Sequence, residues 1–111
     1  MTTFIEGGVT AAKGFQAAGV HCGIRKNRAK KDLGLIVSDR PASAAAVYTR
    51  NLVKGAPLTV TQAHIADGRA RAIVCNSGIA NTCAFDGIEK AEAMCALTAE
   101  ALGIDAADVV V

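Results

Sequence analysis

The sequence predicts an α/β fold, and two observations carry that prediction. Segments with the period of two expected of strands recur through the first 75 residues and again at the end, and two stretches with helical spacing lie among them. A third observation bounds it: 111 residues have room for one domain with a modest core. Apolar residues make up 51% of the chain, yet only four are aromatic and 23 are alanine. Burial stabilises by roughly 25 cal/mol per Å², so an alanine-rich interior gains less per residue than one built on Leu and Phe. So thin a core implies help from another chain.

The first strand is expected over Phe15–Ile24, with Val20, Cys22 and Ile24 on one face and Gly19, His21 and Gly23 on the other. Its glycines suggest close packing or a bulge. "RKNRAKKD" follows, with five cations among the seven residues Arg25–Lys31, and then the apolar run Leu33–Val37, which together read as a hairpin with a basic loop. The loop lacks interleaved aromatics, and the net charge is only +2, so it reads as a solvated turn; no nucleic-acid partner is expected. "SDRPAS", Ser38–Ser43, has turn chemistry, with Pro41 pushing Arg40 out of the helical region, and a third strand is expected over Ala44–Thr49.

Pro57 opens a helix running to Asp67, lined on one side by Leu58, Ala63, Ile65 and Ala66 and closed by Gly68. Ala70–Cys75 is the next strand, continuously apolar from Ala72, as a strand covered on both faces would be. Asp86 is expected to N-cap the second helix, with Glu89 completing a D-x-x-E capping box. Ile88, Ala91, Met94 or Cys95, Thr98 and Leu102 recur at helical spacing before Gly103. "IDAADVVV" then begins another buried strand and stops at Val111. A terminus inside such a run exposes unpaired backbone and apolar side chains, so residues 1–111 read as a single segment cut mid-strand.

Several function classes drop out. The first 30 residues hold no apolar h-region, and no window approaches the ~20 apolar residues of a membrane span. A soluble, cytoplasmic protein without a membrane partner is expected. Cys22, Cys75, Cys83 and Cys95 form no C-x-x-C and have no nearby His pair, so no metal is expected; three of them sit in apolar runs, as buried free thiols do. His21 and His64 stand in the first strand and first helix without a carboxylate or Ser at a telling distance, and read as surface or core histidines.

The segment "NSGIANTCAFDG", between the last complete strand and the second helix, is the candidate site. A strand, polar Gly-containing loop and helix can turn backbone N–H groups toward an anion. There is no G-x-G-x-x-G and no G-x-x-x-x-G-K-[ST], so no nucleotide cofactor is expected, and Ser77 lacks the G-x-S-x-G elbow and base of a nucleophile. Alternatively, Asn76 and Asn81 tie the loop down through their amides while Gly78 supplies a positive φ. The residues alone leave both readings open.

Four phrases stand out, "GGVTAAKGFQAAGVHCGIR", "KKDLGLIVSDRPASAAAVYTRNLVKGAP", "AIVCNSGIANTC" and "ALGIDAADVVV". In order and spacing they resemble the N-terminal part of the ornithine acetyltransferase (glutamate N-acetyltransferase) family of arginine biosynthesis. The resemblance implies a layered sandwich of mixed or antiparallel sheet with helices packed on it, of which this chain is an incomplete part. It implies acetyl transfer from N-acetylornithine to glutamate by a ping-pong acetyl-threonine mechanism, with acetyl-CoA a further donor in some relatives. It also implies a precursor that cleaves itself before the nucleophilic threonine, leaving a beta chain that stays bound in a heterotetramer.

In that family the threonine, the Thr-Gly oxyanion pair and the principal substrate-binding residues all follow the position matching Val111, so no catalytic residue is carried over and the isolated segment is expected to be inactive. Asn76, Ser77, Gly78 and Asn81 match the family's N-S-G-N-A-N phrase and are the candidates for supporting the neighbouring oxyanion segment. Ile79 stands where the family usually has Asn, and Ala84-Phe85 where it has Thr-Gly. The alternative is a small-anion-binding module built on the Asn76-Ser77-Gly78 loop.

Overall fold

The expected hairpin forms: β1 (Phe15–Val20) runs antiparallel to β2 (Leu33–Ser43), from Phe15 opposite Ser38 to Val20 opposite Leu33. The computed structural model describes all 111 residues. β3 (Arg69–Asn76) pairs antiparallel with the other edge of β2, and β4 (Val109–Val110) lies parallel to β3, giving a mixed four-stranded sheet in the order β1-β2-β3-β4. Helix α1 (Ala56–His64) joins β2 to β3, and α2 (Gly87–Leu102) makes the crossover that a parallel pair requires.

Residues paired across strands share a face. One face presents Leu33, Leu35, Val37, Ala72, Val74 and Val109 to Val60 of α1 and to Ala91, Cys95 and Ala99 of α2. The other carries Phe15, Ile36, Ile73 and Val110 and stays open, with Phe15 37% and Ile73 42% exposed. β3 is therefore covered on one face only, not on both. Only 11 of 111 residues are buried, the thin core that small side chains imply. No helix is long and apolar enough to cross a membrane.

Both glycines expected to end helices do so in the left-handed region, Gly68 at φ 75° after a short 3-10 extension of α1 and Gly103 at φ 66° after α2. Elsewhere the structure departs from expectation. The first strand stops at Val20, because the chain from His21 onward wraps around the Asp32 carboxylate. Ser38–Ser43 is no turn: β2 runs through it, with a register shift between Val37 and Ala42, then Ala42 opposite Ala70 and Ser43 opposite Arg69. The irregularity accommodates Pro41, which has no N–H for a ladder.

The strand expected at Ala44–Thr49 does not form; after Ala44, whose N–H donates to Gly68 O, the segment has no pairing partner, and Val47 is 98% exposed. α1 buries Val60 and Thr61, not the stripe of Leu58, Ala63, Ile65 and Ala66. On α2 the inward line is Ala91, Cys95 and Ala99, while Ile88 faces out. Asp86 occupies the N-cap position without a capping bond, its carboxylate instead pairing with Lys90 Nζ at 2.7 Å.

Candidate functional site

Asp32 organises the region around the loop. It sits where the basic loop re-enters β2, its side chain removed from solvent. Its carboxylate accepts the backbone N–H of Cys22 at 2.7 Å and of Arg25 at 2.9 Å, and His21 Nδ1 lies 3.2 Å away. The Arg25 and Cys22 amides hold this carboxyl well below the usual carboxylate range, outweighing the opposing effect of burial. The neighbouring Cys22 thiol is pushed up, by desolvation first and by Asp32 second. So the loop that carries the five cations is a turn built on one buried anion, a reason for its shape that spacing along the chain did not disclose.

The same hub fastens the segment after β3. Asp32 O accepts the Ser77 N–H at 2.9 Å, and Arg25 Nε donates to Ser77 Oγ at 3.1 Å. Gly78 takes φ 102°, as expected, and a Cβ there would lie 2.9 Å from Arg25 Cγ, so both backbone and space demand glycine. Farther along, Thr82 bridges to Gly55 ahead of α1, and Cys83 is held at φ 61°, the one non-glycine residue in the left-handed region.

Asn76 and Asn81 form no side-chain hydrogen bonds, so the loop is not tied down through their amides. Both line a cavity of about 430 Å³ whose apolar wall includes Ile79, Met94, Leu97 and Val111. The Asp86–Lys90 pair borders it; that contact lowers the Asp86 pKa and raises that of Lys90. Ser77 has no base beside it; its N–H is spent on Asp32 O, and its Oγ accepts from Arg25 Nε, which leaves the hydroxyl proton as its one free donor.

Side chains also grip β4 and the residue after it. Thr61 Oγ1 donates to the Val111 backbone oxygen at 2.8 Å and accepts from the Val111 N–H at 3.3 Å. His64 Nδ1 lies 2.8 Å from Val109 O, and Cys95 Sγ approaches the same oxygen at 3.5 Å. His64 Nε2 faces Glu92 Oε2 at 3.2 Å. Both histidines thus have carboxylate partners, 11 and 28 residues away in sequence, contrary to the expectation that they stand alone. Only Cys95 is a buried thiol; Cys22, Cys75 and Cys83 are exposed, Cys75 because it points from the open face of the sheet. Sequence reasoning missed Asp32, because a buried carboxylate that binds backbone N–H groups has no signature in a basic loop, and Thr61, whose partner lies 50 residues away.

Residues 16–111 match the ArgJ family. The arginine biosynthesis bifunctional protein ArgJ of Halalkalibacterium halodurans is 52% identical over 100 residues, covering 88% of this chain and 24% of that protein. Its counterpart from Geobacillus kaustophilus is 47% identical over 106 residues, covering 94% and 25%. The crystal structure of ArgJ from Bacillus halodurans superposes with a TM-score of 0.88 at 49% identity, over 94% of this chain and 55% of that one. Ornithine acetyltransferase from Mycobacterium tuberculosis, solved in complex with ornithine, gives 0.84 at 41% identity, over 93% and 56%. The chain spans about a quarter of the length of these curated relatives. The sheet order, the helices on one face and the loop after β3 are therefore features of a shared fold, and the chain belongs to the ArgJ family.

Proposed function

We propose that the chain is the N-terminal part of an acetyltransferase that moves an acetyl group from N-acetylornithine to glutamate in arginine biosynthesis, with acetyl-CoA as a second candidate donor. The carrying observation is the 41% identity and 0.84 TM-score to an ornithine acetyltransferase that was solved with ornithine bound. In this reading a threonine supplied by a beta chain attacks the acetyl carbonyl, the C–N bond breaks, and ornithine leaves with a proton on its amine. Glutamate's amine then attacks the acetyl ester and the threonine hydroxyl is restored. Each attack passes through an oxyanion that needs donors placed in advance.

Two observations support this division of labour. The stretch matched here covers about a quarter of each curated relative but more than half of each solved chain, so the solved chains are about half as long, as expected of a precursor cut into two pieces that remain associated. Secondly, Ala72 pairs with Val109 and Ile73 with Val110, and β3 continues three residues further to Asn76. A chain prolonging β4 in that register passes Val74 and Cys75 and arrives at the Asn76–Asn81 loop. The proposed role of Asn76, Ser77, Gly78 and Asn81 is to support the oxyanion segment there. The enzyme would work in the cytoplasm, as a heterotetramer.

The test begins with the intact masses of the purified, denatured protein. A second, larger species beginning with threonine, together with acetyl transfer from N-acetylornithine to glutamate, supports the proposal. A full-length protein that carries this segment and cleaves itself but transfers no acetyl group between these substrates refutes it.

A further inference from the structure

The loop from His21 to Asp32 carries five cations, Arg25, Lys26, Arg28, Lys30 and Lys31, and a single carboxylate. That carboxylate, Asp32, is turned inward onto the Cys22 and Arg25 N–H groups and away from solvent. None of the five cations forms an ion pair. Three of them converge: Arg25, Lys26 and Arg28 line an open concavity of about 540 Å³ together with His21, Cys22 and Gly23, whereas Lys30 and Lys31 lie outside it. No carboxylate belongs to its wall. The Cys22 thiol, pushed up chiefly by desolvation, adds no negative charge at neutral pH. The N–H groups of Gly23, Lys26 and Arg28 also have no partner within the chain.

This surface is already assembled. Asp32 holds the backbone at Cys22 and Arg25, and the Asn27 side chain and carbonyl accept the N–H groups of Ala29 and Lys30 at 3.0 and 3.1 Å. Arg25 Nε donates to Ser77 Oγ at 3.1 Å, and its Cγ lies beside Gly78. That bond anchors the guanidinium and leaves both Nη groups without a protein partner. A guanidinium held in place with free Nη donors suits the bidentate geometry of phosphate, and holding it beforehand lowers the cost of ordering it on binding.

From this we infer that the concavity at Arg25, Lys26 and Arg28 is a binding site for the phosphate group of a small molecule. Arg25 is the fixed fork, and Lys26 and Arg28 supply the remaining charge. Three cations without a carboxylate match a phosphate dianion or a diphosphate better than a single carboxylate, which would leave like charges facing one another. A nucleic-acid strand would need a longer track and aromatic platforms, which the loop lacks. The site adjoins the cavity shared with Asn76 and Asn81, because Ile24, next to Arg25, lines that cavity. The same chemistry has two sources, a free phosphate ion and the phosphates of a nucleotide-bearing donor such as acetyl-CoA. The site itself does not depend on the acetyl-transfer reading.

The test measures binding of inorganic phosphate and of ADP to the full-length protein by calorimetry. Wild type is compared with Arg25→Gln, with Lys26→Gln plus Arg28→Gln, and with Lys30→Gln plus Lys31→Gln, which removes the same charge from outside the concavity. Wild type should bind at least one probe saturably. Each change within the concavity should weaken binding about tenfold or more, as expected for the loss of a charge-assisted hydrogen bond. The Lys30 and Lys31 pair should alter it within about twofold in about 0.15 M salt, where distant charges are screened. Tighter binding of ADP than of phosphate assigns the site to a nucleotide; equal or weaker binding assigns it to the free ion. Absence of saturable binding of either probe overturns the inference. So does affinity unchanged in the Lys26 and Arg28 pair, whose exposed side chains make no internal bonds, or an equal loss in the Lys30 and Lys31 pair, which would leave only a diffuse field.

Discussion

Replacing Gly87 by alanine sets two effects of opposite sign against each other. Gly87 opens α2 where α1 also begins, and a Cβ there would lie 2.8 Å from Ala56 Cβ and 3.4 Å from Ala84 Cβ. Helix propensity favours alanine over glycine by about 1 kcal/mol in a helix interior, and by less in a first turn. Overpacking costs about 1–3 kcal/mol, and the upper part of that range applies where the obstacle cannot swing away. Ala56 Cβ is fixed to its backbone, so α1 itself must shift.

The net expectation is a destabilisation of about 1–2 kcal/mol, or a Tm lower by roughly 4–8 °C per kcal/mol. In an Ala56→Gly background the obstacle is gone, and Gly87→Ala should become neutral or stabilising, a coupling of about 1–3 kcal/mol. Urea unfolding of wild type, the two single variants and the double variant reads this directly. If Gly87→Ala raises stability by the propensity difference alone, or costs as much with Gly at 56 as with Ala, the two helices do not meet as described.

Three other outcomes follow from the structure. Asp32 has a lowered folded pKa, so its stabilising contribution is complete above the unfolded value of about 4 and is lost as pH falls below it toward the folded value. Tm should drop steeply below about pH 4 in wild type and more gently in Asp32→Asn; equal slopes would sink the assignment. Burial first, and the Glu92 charge second, push the Cys95 thiol up to about 11, so alkylation of the native chain at pH 8 should modify Cys75 and Cys83 and leave Cys95 untouched until the chain unfolds. Asn76 lines the cavity without a side-chain hydrogen bond, so on the acetyl-transfer reading proposed above Asn76→Ala in the full-length protein should lower that activity severalfold with Tm unchanged. Full activity at full stability would remove it from the mechanism.

The elements legible in the sequence are those whose causes are local. Gly68 and Gly103 end helices by taking up conformations that other residues avoid, and Leu33–Val37 and Ala70–Cys75 advertise strands by apolar content. What stayed hidden depends on partners distant in the chain. Ser38–Ser43 has the composition of a turn and becomes strand because Arg69 and Ala70 lie alongside it. Ala44–Thr49 has the composition of a strand and finds no edge to join. Cys75 looked like core, but burial depends on which face of the sheet is covered. At the site, Gly78 could be read from its neighbours in sequence; Asp32, whose backbone oxygen anchors Ser77 from 45 residues away, could not.

The two ways in which the sheet holds its strands differ in mutational robustness. Between β1, β2 and β3 the bonds are backbone to backbone, so no single codon change other than one to proline deletes any of them, and side chains there are free to drift within the limits of packing. The outer edge of β4 hangs on individual side-chain atoms of His64 and Cys95, and Val111 just after it on Thr61, each removable by one substitution. Variation in a population of such sequences should therefore be tolerated unevenly, with positions 61 and 64 constrained beyond what their place on a short surface helix would suggest. The strand at the parallel edge of the sheet is the one whose placement a single base change can alter.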